Sequence, residues 1–199
     1  MVILTINENL MSKLKQDNYS LLFLNNCVNA KFLSVHEINS QIVGVGCVGG
    51  LMNHYAIEIK NEFFGRGLWR NISNEIIRET KNRKLSFLTG VYKTNNLISI
   101  KIQNSLGFIP VFSINYSESE GREVVIILPI NKKGKIIFNF MKIFNTKIGN
   151  MLFSISFFLS KPLLKKIIGL SGNTMPPINL KFSISNFQKV KSVMNSIKF

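Results

Sequence analysis

A short glycine-bearing segment between two regular elements holds the residue types best suited to chemistry. Residues 63–70 read Phe-Phe-Gly-Arg-Gly-Leu-Trp-Arg, between an alternating apolar stretch at 54–59 and isoleucines at helical spacing. Glycine permits a positive φ and a close approach of the backbone to a ligand. Free N–H groups and the positive dipole at a helix start favour phosphate oxygens. The order strand, glycine loop, helix therefore predicts a site for a phosphate-bearing ligand.

A second motif narrows this prediction. Residues 95–108, Asn-Asn-Leu-Ile-Ser-Ile-Lys-Ile-Gln-Asn-Ser-Leu-Gly-Phe, resemble the Asn-x-x-Ala…Leu-Gly-Phe signature of the GNAT superfamily of acyl-CoA N-acyltransferases. Gly65-Arg66-Gly67 is similar to that family's Arg/Gln-x-x-Gly-x-Gly/Ala pyrophosphate loop. Taken alone, the two glycines also fit an ordinary strand-to-helix turn. The two motifs together, in the family's order and separation, favour the family.

The pattern of apolar residues agrees with the fold that this resemblance implies, which is an α/β (α+β) fold with a mixed, mainly antiparallel sheet flanked by helices. A helical region at 8–27 contains a break near Asp17-Asn18, and Asn39-Ser40-Gln41 predicts a hairpin turn. The other predicted helices cover 67–82 and 96–105. The predicted strands cover 2–6, 32–37, 42–48, 54–59, 85–92, 108–116 and 124–128.

The resemblance also implies the acyl donor, acetyl-CoA, and the residues that hold it. The backbone N–H groups of residues 65–70 would hold the pyrophosphate, and the pantetheine arm would lie beside the strand that ends at Ile59. Asn96 and Ser99 would line the thioester side. The predicted cofactor-binding residues are Ile59, Gly65, Arg66, Gly67, Leu68, Trp69, Arg70, Asn96 and Ser99.

Three positions depart from the family's pattern. Phe64 stands where the family has Arg or Gln, and Trp69 stands where it has Gly or Ala. Gln103 occupies the place of the family's thiolate-protonating tyrosine and cannot act as an acid. Trp69 would crowd a phosphate unless its ring points away. Arg66 and Arg70 are able to supply compensating positive charge.

Acyl transfer to an amine needs a group that accepts the amine's proton and one that protonates the leaving thiolate. Glu58 and His54 are the predicted bases, because their spacing of four places them on one face of a regular strand. Each also fits an ordinary surface role on that strand. Tyr92 is the predicted acid, with Tyr116 or water as alternatives. No cluster of residues has the spacing of a metal site.

Charged residues are distributed unevenly along the chain. The formal net charge is +15 over 199 residues, and residues 131–199 contain 12 lysines and no Asp or Glu. This break predicts an acyltransferase domain at 1–130 and a basic, apolar C-terminal extension at 131–199. Cys27 and Cys47 lie in apolar company without metal or redox spacing, which predicts buried free thiols. The thiols and the lack of a secretory signal predict a cytoplasmic protein.

The extension is predicted to be helical over 136–170. Within 178–199 it is predicted to form a strand at 178–184 and then a short helix that contains Phe187. Its most apolar run, at 148–160, is shorter than the roughly 20 residues of a membrane span. The segment 136–170 instead fits a helix on an anionic membrane surface, on the inner face of the membrane. A packed extension with solvated lysines is the alternative. Scarce arginine and the absence of a recognition motif argue against nucleic acid.

The predicted function is transfer of an acetyl group from acetyl-CoA to a primary amine of a small molecule, with an amino sugar precursor as the first candidate. Two alternatives stay open. One is N-acetylation of a protein. The other is a non-catalytic module that binds acyl-CoA or a membrane, which the residues at 64, 69 and 103 motivate. Nothing in the sequence specifies an oligomeric state.

Overall fold

The computed structural model describes residues 2–117, 121–159 and 187–197, and the chain forms two compact units. The described residues of the first unit run from 2 to 88, and those of the second unit begin at Thr89. This division depends on packing and falls at a different place from the composition break. The domain boundary predicted near residue 130 stays a prediction.

The described residues of the first unit form four strands and three α-helices. Its strands β1 to β4 pair antiparallel in chain order, without a register shift between β3 and β4. Its elements are β1 (Val2–Leu4), α1 (Glu8–Gln16), α2 (Leu21–Val28), β2 (Ala30–Ile38), β3 (Gln41–Gly49), β4 (His54–Ile59) and α3 (Leu68–Asn82).

Local chemistry explains the predicted break in the first helical region. The side chain of Asn7 accepts a hydrogen bond from the N–H of Leu10, and that of Ser20 accepts one from the N–H of Phe23. Two N-caps therefore start two separate helices. Asn18, between them, has a φ of +59°, a conformation that asparagine tolerates better than most residues. The predicted hairpin turn is confirmed, since Asn39 and Ser40 both have positive φ.

One face of this sheet packs against α1 and α2, and both cysteines lie in that core. Cys27 and Cys47 are free and buried, as predicted. The hydrogen bond with Cys47 and burial raise the pKa of the Cys27 thiol, so it stays protonated. The buried residues of the cluster are Leu10, Leu14, Tyr19, Phe23, Leu24, Cys27, Leu33, Val35, Ile42, Val45 and Cys47.

The other face packs against α3 through two glycines of β3. A Cβ added to Gly46 would lie 2.4 Å from Cδ1 of Ile76 and 2.7 Å from Cγ2 of Ile72, and one added to Gly44 would lie 2.8 Å from Cδ1 of Ile72. The isoleucines of α3 therefore occupy the space that side chains on β3 would fill. This close contact fixes the height of α3 above the sheet.

The second unit is built around the β6–β7 hairpin. β6 pairs antiparallel with β7 and, along its other edge, with β8, where Ile114 lies opposite Phe187. The pairings among β1 to β4 and among β6, β7 and β8 are antiparallel, and helices flank the strands. The predicted fold class, a mainly antiparallel sheet flanked by helices, is confirmed. The remaining elements are β5 (Phe87–Lys93), whose first two residues belong to the first unit, α4 (Leu97–Ser105), β6 (Ile109–Ser117), β7 (Gly121–Pro129), α5 (Lys132–Lys142), α6 (Lys147–Leu159), β8 (Phe187–Gln188) and α7 (Val190–Met194).

The basic extension differs in detail from its prediction. Its first helix begins at Lys132, not at 136, because the side chain of Asn131 caps it through the N–H of Gly134. A 3-10 turn at Ile143–Asn145 then separates α5 from α6. Phe187 lies in a strand and not in the final helix, because it pairs with β6. The predicted strand at 178–184 and the predicted helix beyond 159 lie outside the described residues. None of the helices in the described ranges is long and apolar enough to cross a membrane.

The Gly46→Ala variant tests the close packing of α3 on the sheet. We expect the free energy of unfolding to fall by about 1–3 kcal/mol, because the new methyl group overpacks the contact with Ile76 and Ile72. Urea denaturation measures the change. The double variant Gly46→Ala with Ile76→Val removes the nearest clashing atom and should lose less stability than the sum of the two single variants. Strict additivity would contradict this account.

Candidate functional site

The loop between β4 and α3 has the backbone conformation that its two glycines suggest. A 3-10 turn at Asn61–Phe63 follows β4, and Gly65 and Gly67 then adopt φ values of +79° and +73°. A Cβ on either glycine would meet nothing within 4 Å, so these positions require glycine for their backbone angles and not for lack of space. The loop is therefore exposed and open on its outer side.

The first turn of α3 offers backbone donors to this open side. Gly67 is the N-cap and provides no side-chain acceptor, and the first helical hydrogen bond runs from the N–H of Asn71 to the carbonyl of Gly67, at 3.2 Å. The N–H groups of Leu68, Trp69 and Arg70 therefore have no acceptor within the helix. Three free donors at a positive dipole end suit a pyrophosphate.

Two arginines bring positive charge to the same loop. The side chains of Arg66 and Arg70 are exposed, and neither forms an ion pair within the described part of the chain. The Arg66 guanidinium lies 4.9 Å from the ring centroid of Phe63. Phe64, at the position of the family's polar anchor, is 62% exposed. The positive charge of the loop thus comes from positions 66 and 70.

Buried contacts hold the backbone of this turn from below. Leu68 is buried, and the carbonyl of Trp69 accepts a hydrogen bond from Oγ of Ser73 at 2.7 Å. Oγ of Ser73 in turn lies 2.6 Å from the buried hydroxyl of Tyr55 on β4. The indole Nε1 of Trp69 is shielded from solvent and has no partner among the described residues. The nitrogen edge of the ring is therefore turned away from solvent.

Glu58 and His54 lie on one face of β4, as predicted, because the register between β3 and β4 is regular. The Glu58 carboxylate accepts two hydrogen bonds from Ser20, one from its backbone N–H at 2.8 Å and one from its hydroxyl. Ser20 was not predicted as a partner. Its position before an apolar run marks it as a helix cap, but only the fold brings it beside Glu58.

Glu58 also lines a polar cavity of about 310 Å³. One wall is fixed by Asp17, which accepts a hydrogen bond from the N–H of Ile42 at 3.2 Å and lies 3.6 Å from the ammonium of Lys60. The volume is enough for a small polar group beside the Glu58 carboxylate. The cavity is lined by Asp17, Asn18, Tyr19, Glu58, Ile59, Lys60, Asn61 and Glu62.

The environment of His54 makes its imidazole harder to protonate. Burial lowers the pKa of His54 from 6.5 to about 4, because the charged imidazolium loses its hydration. The imidazole is therefore neutral at pH 7. A neutral imidazole with so low a pKa is a weak proton acceptor.

The second unit carries the other predicted site residues. Asn96 is the N-cap of α4, and its side chain accepts a hydrogen bond from the N–H of Ser99 at 3.0 Å. Tyr92 is buried, its hydroxyl donates to Sδ of Met194 at 3.8 Å, and burial raises its pKa. Gln103 is also buried, and its Oε1 accepts no hydrogen bond from the described residues.

The structure thus brings together His54, Glu58, Ile59 and residues 65–70 on one strand, loop and helix of the first unit. Tyr92, Asn96 and Ser99 belong to the second unit. No group of three or more potential metal ligands occurs in the ranges that the structure describes.

Solved structures of acetyltransferases resemble the chain. The ribosomal-protein-S18-alanine N-acetyltransferase of Escherichia coli matches with a TM-score of 0.55 and 16% identity, over 65% of this chain and 94% of that one. A GNAT-family acetyltransferase of Streptococcus pneumoniae matches with a TM-score of 0.53 and 15% identity, over 65% and 99%. An IAA acetyltransferase of Bacillus cereus matches with a TM-score of 0.53 and 12% identity, over 64% of this chain and 98% of that one.

No protein-family model matches the chain, and no curated protein matches it by sequence. Likeness at these identities is a likeness of fold. The antiparallel strands, the strand–loop–helix at Gly65 and Gly67, and these structural matches agree: the chain has the fold of the GNAT superfamily.

Proposed function

We propose that the protein is an N-acyltransferase that transfers an acetyl group from acetyl-CoA to a primary amine. The observation that carries this proposal is the uncapped start of α3, which follows an exposed loop with two positive-φ glycines. A phosphate bound there would accept hydrogen bonds from backbone donors that nothing in the helix satisfies. The structural likeness to acetyltransferases supports the same reading.

Acetyl-CoA supplies an activated thioester, and the chain supplies the groups that bind and position it. The N–H groups of residues 68–70 are the proposed pyrophosphate donors. Arg66 and Arg70 neutralise the phosphate charge, because arginine matches phosphate oxygens with paired donors. The side-chain oxygen of Asn96 already accepts a hydrogen bond from the N–H of Ser99. We therefore propose that Asn96 contacts acetyl-CoA through its amide nitrogen or its backbone.

Glu58 is the proposed general base. Its carboxylate is oriented by two hydrogen bonds from Ser20 and borders a polar cavity, so it is able to accept a proton from an amine directly or through water. Tyr92 is a weak candidate for the acid that protonates the leaving thiolate, because its hydroxyl is buried against Met194. Water is the alternative proton donor to the thiolate.

The acceptor is proposed to be the amine of a small molecule, with an amino sugar precursor as the first candidate and a protein amine as the second. The E. coli structural match is named for an alanine of a ribosomal protein, which keeps the second candidate open. A module that binds acyl-CoA without catalysis is the remaining alternative, motivated by Phe64, Trp69 and Gln103.

The Gly67→Asp variant tests the pyrophosphate loop. Aspartate tolerates the left-handed conformation and is a favoured N-cap, so its carboxylate would occupy the free donors and repel phosphate. We expect the Kd for acetyl-CoA, measured by calorimetry, to rise at least about tenfold, or about 1.4 kcal/mol. The matched control is Gly50→Asp, at another positive-φ glycine of the first unit. Equal weakening by both variants, or no binding to the folded wild type, would refute the assignment.

The Glu58→Gln variant separates an enzyme from a binding module. For an amine acceptor found by screening, we expect kcat to fall by about 10²- to 10⁴-fold with an unchanged Kd for acetyl-CoA, because only the base is lost. Glu62→Gln, at another carboxylate lining the same cavity, is the matched control and should retain kcat. An equal loss of kcat in the two variants would refute the proposal that Glu58 is the general base. Acetyl-CoA binding without turnover of any amine would favour the module.

The pH dependence of stability tests the state of His54. Its pKa is lower in the folded chain than in the unfolded chain, so the unfolded chain binds the extra proton as the pH falls from 6.5 towards 4. The free energy of unfolding should fall over this range by up to about 1.4 kcal/mol per pH unit. His54→Gln should show a shallower fall in denaturation measured at each pH. Identical slopes would mean that His54 is not held neutral.

A further inference from the structure

Two successive helices of the second unit expose apolar side chains in stripes at helical spacing. Isolated exposed apolar residues are common on proteins, but a water-facing helix surface is normally polar. Ile136 and Ile148 are 68% and 71% exposed, respectively. The two stripes consist of Ile136, Phe140 and Ile143 on α5 and the turn after it, and of Ile148, Met151, Leu152 and Ile155 on α6.

The opposite sides of these helices are anchored, so the stripes are held outward. Met141 is buried, and α5 packs against β6 and β7. The ring of Phe144 meets that of Phe112 edge-on, with centroids 6.0 Å apart. A Cβ on Gly149 would lie 2.0 Å from the carbonyl oxygen of Ile143, so α6 begins tightly against the preceding turn.

The charged side chains of α5 and α6 have one sign. No Asp or Glu occurs after Glu123 anywhere in the sequence. The partner that fits must therefore offer both negative charge and an apolar interior. A second copy of the same surface would oppose lysine to lysine, and nucleic acid has no apolar layer for the stripes. The exposed lysines of α5 and α6 are Lys132, Lys133, Lys135, Lys142 and Lys147.

We propose that the two apolar stripes of α5 and α6 bind the face of an anionic lipid bilayer. The apolar stripes enter the boundary between headgroups and acyl chains, and the lysines lie at the lipid phosphates. The helices lie along the membrane and do not cross it, in keeping with their length. This inference rests on the second unit alone and is independent of the proposed acyl transfer.

Vesicle flotation of the full chain tests the proposal with three matched variants. Ile136→Asn and Ile148→Asn each place an amide in one stripe, and Ile98→Asn does the same at a 74% exposed isoleucine on α4. The probes are vesicles of phosphatidylcholine alone and of phosphatidylcholine mixed with phosphatidylglycerol. Circular dichroism checks that each variant is folded.

We expect the wild type to bind the mixed vesicles, to bind phosphatidylcholine much more weakly and to lose affinity in high salt. Each stripe variant should weaken binding at least about tenfold, because an apolar side chain no longer leaves water, whereas Ile98→Asn should match the wild type. Absence of binding to mixed vesicles would overturn the proposal. Equal affinity in all three variants, salt-sensitive capture of RNA without vesicle binding, or a dimer that Ile148→Asn dissociates without vesicle binding would overturn it as well.

Discussion

The close contact between α3 and β3 is the constraint on which the candidate site depends. Gly44 and Gly46 leave room for Ile72 and Ile76 of α3 directly above the strand. A helix packed this tightly has little freedom to shift along or away from the sheet. Its first turn, with the donors of residues 68–70, is therefore held at a defined height beside the end of β4.

Hydrogen bonds between polar groups also hold the first turn of α3 in place. The hydroxyls of Tyr55 and Ser73 connect β4 to the carbonyl of Trp69, below the glycine loop. The helix keeps its backbone donors free because glycine at position 67 has no side chain that would cap them. Relative to glycine, a capping serine or aspartate would stabilise the helix by only about a few tenths of a kcal/mol. The helix therefore lacks a side-chain cap, and its first backbone donors stay open, as the proposed binding of a pyrophosphate requires.

The described residues after 130 belong to the second unit. β8 pairs with the edge of β6 that β7 does not occupy, and Val190, Val193 and Ile197 are buried. Tyr92 reaches Met194 of the same C-terminal segment. The basic composition of this region thus coexists with ordered packing on one side and, on α5 and α6, with an exposed apolar surface on the other.

Much of this protein is determined by local sequence. Alternation, caps and turn residues specify the strands, the break between α1 and α2, and the Asn39-Ser40 turn, because each depends on neighbours in the chain. The Gly65 and Gly67 loop is of the same kind, since its positive φ values need glycine wherever the loop lies. The tertiary structure alone decided that Glu58 meets Ser20, that burial keeps His54 neutral, and that Phe187 joins a strand. Those outcomes depend on contacts between residues distant in sequence, whose burial and hydrogen bonds no local pattern encodes.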